Sequence, residues 1–242
     1  MLLSLIGGAR ALNTNTIRET LVSLYLRLNG YFVSGFIVHA PQNQRTEMDA
    51  LAVRFPLHME PERQVSLCQH LGVPDDRIDF IVGEVKGGSH FTFNSAFREN
   101  PEAIRTVLQR FGAFDDREIG RVCETVPHLL EPMRLRRDAA FPELDVTLAE
   151  AIGSHRTKLR FVLFAPELSR SSRASRPFVF GDDLLAFVWN CFRPEQQRPE
   201  CDWRYDFKLW GPQFTDMVQY FKDREQTSCG TIQDLYDAMV AC

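Results

Sequence analysis

Two short apolar runs of this chain carry acid where a buried strand would not ordinarily place it. One is Thr46-Glu47-Met48-Asp49-Ala50-Leu51-Ala52-Val53; the other is Asp79-Phe80-Ile81-Val82-Gly83-Glu84-Val85-Lys86, followed at once by Gly87-Gly88. Extended backbone turns residues two apart to one face, so Glu84 and Lys86 point the same way. If the Asp49 run pairs alongside, two carboxylates and an ammonium converge on one spot. Gathering charge there is costly unless opposite charges meet. Oxygen donors of this kind suit a hard divalent cation, and a cation beside an ammonium suits a phosphate.

The elements that must position these residues read as helix, strand, strand, strand. Ile17, Leu21, Leu24, Tyr25 and Leu28 recur at helical spacing and predict a helix over 16–28. Thr16 and Glu19 fit a capping box at its start, and Gly30 suits the position past its end. Aromatic and β-branched residues predict strands over 31–39, 47–55 and 78–86, with Pro41-Gln42-Asn43-Gln44 as a turn. Between the second and third strands, residues 57–77 form a polar excursion with one short helix over 62–70. Further on, helices are expected over 101–111, 117–130, 182–191, 214–222 and 232–240, a fourth strand over 157–165, and a sheet extension over 178–180.

Composition narrows the function classes. The chain has 242 residues, 44% of them hydrophobic and 25% charged, which is ordinary for a soluble globular protein. A net charge of −4 argues against sequence-blind coating of nucleic acid, though not against a locally basic groove. The middle section holds Arg134, Arg136, Arg137, Arg156, Lys158, Arg160, Arg170, Arg173 and Arg176 against five acids. No apolar run is long enough to span a membrane. The six cysteines form no C-x-x-C pair and no zinc signature, and the apolar start Met1 to Gly8 is too short for a secretory leader. Reduced thiols and a cytoplasmic location are therefore expected. The six histidines show no metal-ligand spacing, and neither a Walker loop nor a G-x-S-x-G elbow is present.

The arrangement resembles the PD-(D/E)xK, or restriction-endonuclease-like, phosphodiesterase superfamily. Its core is αβββαβ, with Asp on the second core strand and (D/E)-x-K on the third; here these are Asp49 and Glu84-Val85-Lys86. The likeness covers roughly residues 14–90 and the strand near 158–165. It departs at Met48, where Pro often stands, and in the long gap from Asp49 to Glu84. It implies that Asp49, Glu84 and the Val85 carbonyl hold Mg²⁺, with Mn²⁺ as substitute. Lys86 then orients or deprotonates the attacking water, or neutralises charge growing on phosphorus. Glu19 is a candidate to contact the metal through water, and Glu47, two residues before Asp49 on the same strand face, to support the metal ligands. Helix capping competes for Glu19, and a solvated strand start for Glu47.

The expected fold is α/β, a restriction-endonuclease-like αβββαβ core with a mixed central sheet flanked by helices. Residues 1–98 form the N-terminal part of the nuclease core, 99–156 a helical insertion, and 157–242 the completing strand and a C-terminal helical lobe. The expected activity is metal-dependent endonucleolytic hydrolysis, of DNA before RNA. A homodimer or partner subunit is expected, because cutting both strands needs two sites. Arg170, Arg173 and Arg176 are candidate nucleic-acid contacts in a Ser-rich loop, where a solvated loop competes; for Gln44 and Arg45, in the turn before Asp49, a surface loop is the favoured reading over phosphate contact. Three competing readings stand beside this. Glu84 and Lys86 could form a structural salt bridge; Asp206-Phe207-Lys208 repeats the triplet outside an apolar strand; and the chain could be a silent nuclease-fold protein that binds nucleic acid or a partner protein.

Overall fold

The computed structural model describes residues 13–39, 45–61, 63–88, 92–130, 151–152, 155–169, 178–194, 210–223 and 227–240. Helix α1 (Thr14–Leu28) leads into strands β1 (Phe32–His39), β2 (Arg45–Arg54) and β3 (Arg77–Val85). Helices α2 (Ser95–Glu99), α3 (Pro101–Phe111) and α4 (Asp116–Leu130) follow, then β4 (Ala151–Ile152), β5 (His155–Ala165) and β6 (Phe178–Phe180). Helices α5 (Gly181–Phe192), α6 (Pro212–Lys222) and α7 (Ile232–Val240) complete the described elements.

The strands form one mixed sheet in the order β1-β2-β3-β5, with β4 and β6 both paired to β5. Strands β1, β2 and β3 run antiparallel in turn, whereas β5 runs parallel to β3 over its whole length. Strict alternation along β3 and β5 divides two cores. Ile78, Phe80, Val82, Leu159, Phe161 and Leu163 face α2–α4; Ile81, Val85, Val162 and Phe164 face α1, α5, α6 and α7. Helices thus cover both faces, the arrangement that lets a partly parallel sheet bury both sides. On the α1 face the Tyr25 ring sits edge-on to Phe187 and Phe164, at 5.3 and 6.3 Å between centroids.

Two local expectations are corrected. The first helix is capped by Asn13, whose Oδ1 accepts the Thr16 N–H at 2.8 Å, so the Thr16–Glu19 capping box does not form. The predicted helix over 62–70 is absent; its described residues are irregular up to a single 3₁₀ turn, Gln69–Leu71. Tertiary bonds win there. Asn29 Oδ1 takes the Cys68 N–H at 2.8 Å, and Arg63 donates to the Leu28 carbonyl, tying the excursion to the end of α1. A buried group also anchors it. Arg160 donates to Asp79 Oδ1 at 3.0 Å, to the Tyr31 hydroxyl at 2.9 Å and to the Leu71 carbonyl, while Tyr31 donates to Asp79 Oδ2. Arg160, counted above with the basic middle section, is therefore a core residue committed to Asp79.

Candidate active site at the ends of β2 and β3

Strand β2 is not a regular strand where it carries its acid. Ser34 pairs with Leu51 and Phe36 with Met48, so two residues of β2, Asp49 and Ala50, lie opposite Gly35 alone. The face parity breaks accordingly: Met48 packs in the α2–α4 core while Ala50 packs in the α1 core. This is a β-bulge, a device that re-aims a side chain and ends strand pairing. Gly35 accommodates it, since a Cβ there would meet the Met48 and Asp49 carbonyl oxygens at 3.3 and 3.4 Å.

The consequence falls on β3. Its ladder with β2 stops at Ala50–Gly83. Beyond that pair, the half-buried Asp49 side chain supplies the next acceptor, with Oδ2 taking the Val85 N–H at 2.7 Å. The Asp49 carboxylate therefore reaches the middle residue of Glu84-Val85-Lys86. Glu84 alternates with Phe80 and Val82 toward α2 and is 4% exposed. Its Oε1 accepts from Lys86 Nζ at 2.5 Å, and its Oε2 accepts the Asn94 N–H at 2.9 Å, just ahead of α2. Lys86 is half-buried, and its own N–H donates to the Phe164 carbonyl at 2.9 Å, holding the triplet to β5.

A second cluster, which the sequence reading missed, flanks the Gly pair from the α1 side. Arg18 on α1 donates to Glu167, to the Tyr236 hydroxyl of α7 at 3.0 Å and to Asn15 Oδ1 at 2.6 Å. Glu167 follows β5, and its Oε2 accepts the Gly88 N–H at 2.5 Å. Burial opposes ionisation of the Glu167 carboxyl, but the Gly88 and Arg18 donors outweigh it and hold its pKa below the usual range. Burial pushes the Tyr236 hydroxyl up to about 12. The Arg18 guanidinium lies flat on Gly87, where a Cβ would sit 2.2 Å from its Cζ. The signal available in the sequence was the Gly pair itself, which implied a close neighbour past the strand end.

The remaining predicted residues divide cleanly. Glu19 is half-buried on α1, next in sequence to Arg18. Glu47 pairs with Ile37 in the β1–β2 ladder, and its side chain lies outside the described residues. Arg45 opens β2, opposite His39, and is not in a turn. Arg170, Arg173, Arg176, His90 and the Asp206-Phe207-Lys208 triplet lie outside the described residues. Trp210 packs against Phe192 and Phe214 at 5.7 and 6.1 Å between centroids. Cys68, Cys123 and Cys229 are free thiols.

Asp49 and Glu84 bring two carboxylates, with backbone oxygen adjacent, to the end of the β2–β3 ladder. That chemistry fits a hard cation. Among the described residues, no group of three or more His, Cys, Asp and Glu side chains could hold a metal ion. No described helix is long and apolar enough to cross a membrane. No protein-family model, no curated protein and no solved structure matches the chain.

Proposed function

We propose that this chain is a metal-dependent endonuclease of the PD-(D/E)xK type, acting on DNA in restriction, phage defence, repair or mobile-element processing. One observation carries the reading: the Asp49 carboxylate is bonded to the amide of Val85, between a Glu84 and a Lys86 that are themselves paired at 2.5 Å. The element order supports it. Helix, three antiparallel strands, helices, and a strand parallel to the third is the αβββαβ order of that superfamily.

In this reading Asp49 and Glu84 hold Mg²⁺ or Mn²⁺. In extended backbone the N–H and C=O of one residue point to the same side, so the Val85 carbonyl lies toward Asp49 as a third oxygen donor. When bound, the cation polarises the scissile phosphate and lowers the pKa of an attacking water. Lys86 supplies positive charge next to that phosphate. Paired with Glu84, it neutralises the charge growing on phosphorus and orients the water. The Asn94 N–H holds the Glu84 carboxylate, and the Phe164 carbonyl holds the backbone N–H of Lys86.

A specific observation favours a second reading, a silent nuclease-fold protein. Both carboxylates already accept hydrogen bonds from their own chain. Cleavage assays decide between the two. The protein is incubated with plasmid, single-stranded DNA and RNA, with Mg²⁺, Mn²⁺ or EDTA. Cleavage is expected only with metal, and Asp49→Ala or Lys86→Ala should lower it by about 100-fold or more with folding intact. No metal-dependent cleavage of any substrate sinks the enzyme reading. Loss with Lys208→Ala instead moves the site to the other triplet.

A further inference from the structure

Lys86 stands where the sheet lets the chain go. Val85 is the last residue of β3 and of its ladder with β5. One further bond, from the Lys86 N–H to the Phe164 carbonyl at 2.9 Å, holds the strand end. Gly87 and Gly88 follow, the residue type with the least restrained backbone, and Gly88 turns the chain away at φ 75°. The place of the Lys86 side chain therefore depends on what fixes the glycines.

Glu167 fixes them. Its Oε2 accepts the Gly88 N–H at 2.5 Å, so a carboxylate takes over as acceptor past the end of the β3–β5 ladder. The same carboxylate accepts from Arg18, whose guanidinium covers Gly87, and from the Tyr236 hydroxyl at 3.3 Å. Glu167 has a firm base. The Leu168 N–H donates to the Ala165 carbonyl at 3.0 Å and the Gly181 N–H to the Leu168 carbonyl at 2.9 Å, so its turn is pinned to the end of β5 and the start of α5. The two carboxylates of the candidate site have other supports, Asp49 in the Val85 N–H and Glu84 in the Asn94 N–H.

We infer that Glu167 is a positioning residue for phosphodiester cleavage, acting through the Gly88 amide to set Lys86 between Glu84 and the scissile phosphate. The inference rests on the cleavage reading above. In that reading Glu167 touches neither the metal nor the substrate. Its loss frees the glycine pair and displaces an ammonium that the transition state needs, while Asp49 and Glu84 keep their own donors. A displacement of about 1 Å can cost about 100-fold in rate. The loss falls on kcat, because the weakened interaction is one realised in the transition state.

The test compares wild type, Glu167→Ala and Glu167→Gln on a fluorescent DNA duplex with Mg²⁺. Glu167→Ala should lower kcat by about 10- to 100-fold and move KM by less than about twofold. Glu167→Gln keeps an oxygen for the Gly88 N–H and should recover most of that loss. Tyr31→Phe, which weakens the buried Asp79–Arg160 group, is the control: it should lower Tm and leave kcat unchanged. If Glu167→Ala does not fold, Glu167→Asp, one methylene short of the Gly88 amide, takes its place with the same expected loss. Unchanged kcat in Glu167→Ala, a loss confined to KM, a Gln variant no better than Ala, or an equal fall in Tyr31→Phe each overturn the role. A wild type that cleaves no substrate removes the nuclease reading and this role together. A wild type that cleaves beside an unimpaired Glu167→Ala removes the role alone.

Discussion

A Cβ on Gly87 would collide with the Arg18 guanidinium, 2.2 Å from its Cζ. The Arg18 guanidinium lies where a Cβ would project, and it is held there by Glu167, Tyr236 and Asn15. Alanine at this position must push the guanidinium off its three acceptors. Because those bonds are charge-assisted, Gly87→Ala should cost about 2 kcal/mol of stability, and Arg18→Ala a similar amount. The two losses have one cause, so they should not add. In a double-mutant cycle by denaturant unfolding, the pair should cost little more than Arg18→Ala alone. Simple additivity would show that Gly87 is held to glycine by backbone conformation instead. The residues of this clamp were invisible to sequence reading because Arg18 and Glu167 lie 149 positions apart. The Glu84–Lys86 alignment was legible, since a period of two needs no knowledge of the fold.

At the scale of elements, what was legible was what local chemistry decides. Helix α3 (Pro101–Phe111) was readable to the residue because Asn100 caps it and Pro101 starts it. The helix expected over 62–70 failed because Asn29, Arg63 and Arg160 offer that segment tertiary partners instead. The bulge also escaped notice, because an extra residue in β2 exists only relative to Gly35 of β1. The Asp79–Arg160–Tyr31 group decides more than one element. It joins β3 and β5 to the α1–β1 junction and to the Gln69–Leu71 turn. Asp79 is 1% exposed, and Arg160 is also taken from water. Removing one partner leaves the other charge buried, so Asp79→Ala should lose about 3–5 kcal/mol. Hydrogen exchange should show the loss first in residues 63–71 and at the end of α1. A uniform loss across the sheet would mean that the excursion is held by something else.

At the scale of the whole molecule, the proposed metal site would couple folding to metal through Lys86. Its ammonium already occupies Glu84 Oε1 and so acts as an internal counter-ion for a nearly buried carboxylate. A divalent cation on the same carboxylate is repelled by that ammonium, and substrate phosphate would relieve the repulsion by drawing Lys86 away. Removing Lys86 therefore has opposite effects with and without metal. Without metal, Lys86→Ala leaves Glu84 uncompensated, and since Lys86 is only half-buried the cost should be about 1–3 kcal/mol. With metal, the competing charge is gone, so the variant should bind Mn²⁺ more tightly than the wild type does. Anything that binds only the folded state raises stability by RT ln(1 + [L]/Kd), about 2.7 kcal/mol at a hundredfold excess over Kd. Thermal unfolding with and without Mn²⁺ should thus show a larger metal-induced rise in Tm for Lys86→Ala than for the wild type, even though the variant is expected to lose cleavage. Adding Asp49→Asn to Lys86→Ala should abolish the rise. If Mn²⁺ moves neither protein, Glu84 and Lys86 are a salt bridge at a strand end, and the silent reading takes precedence.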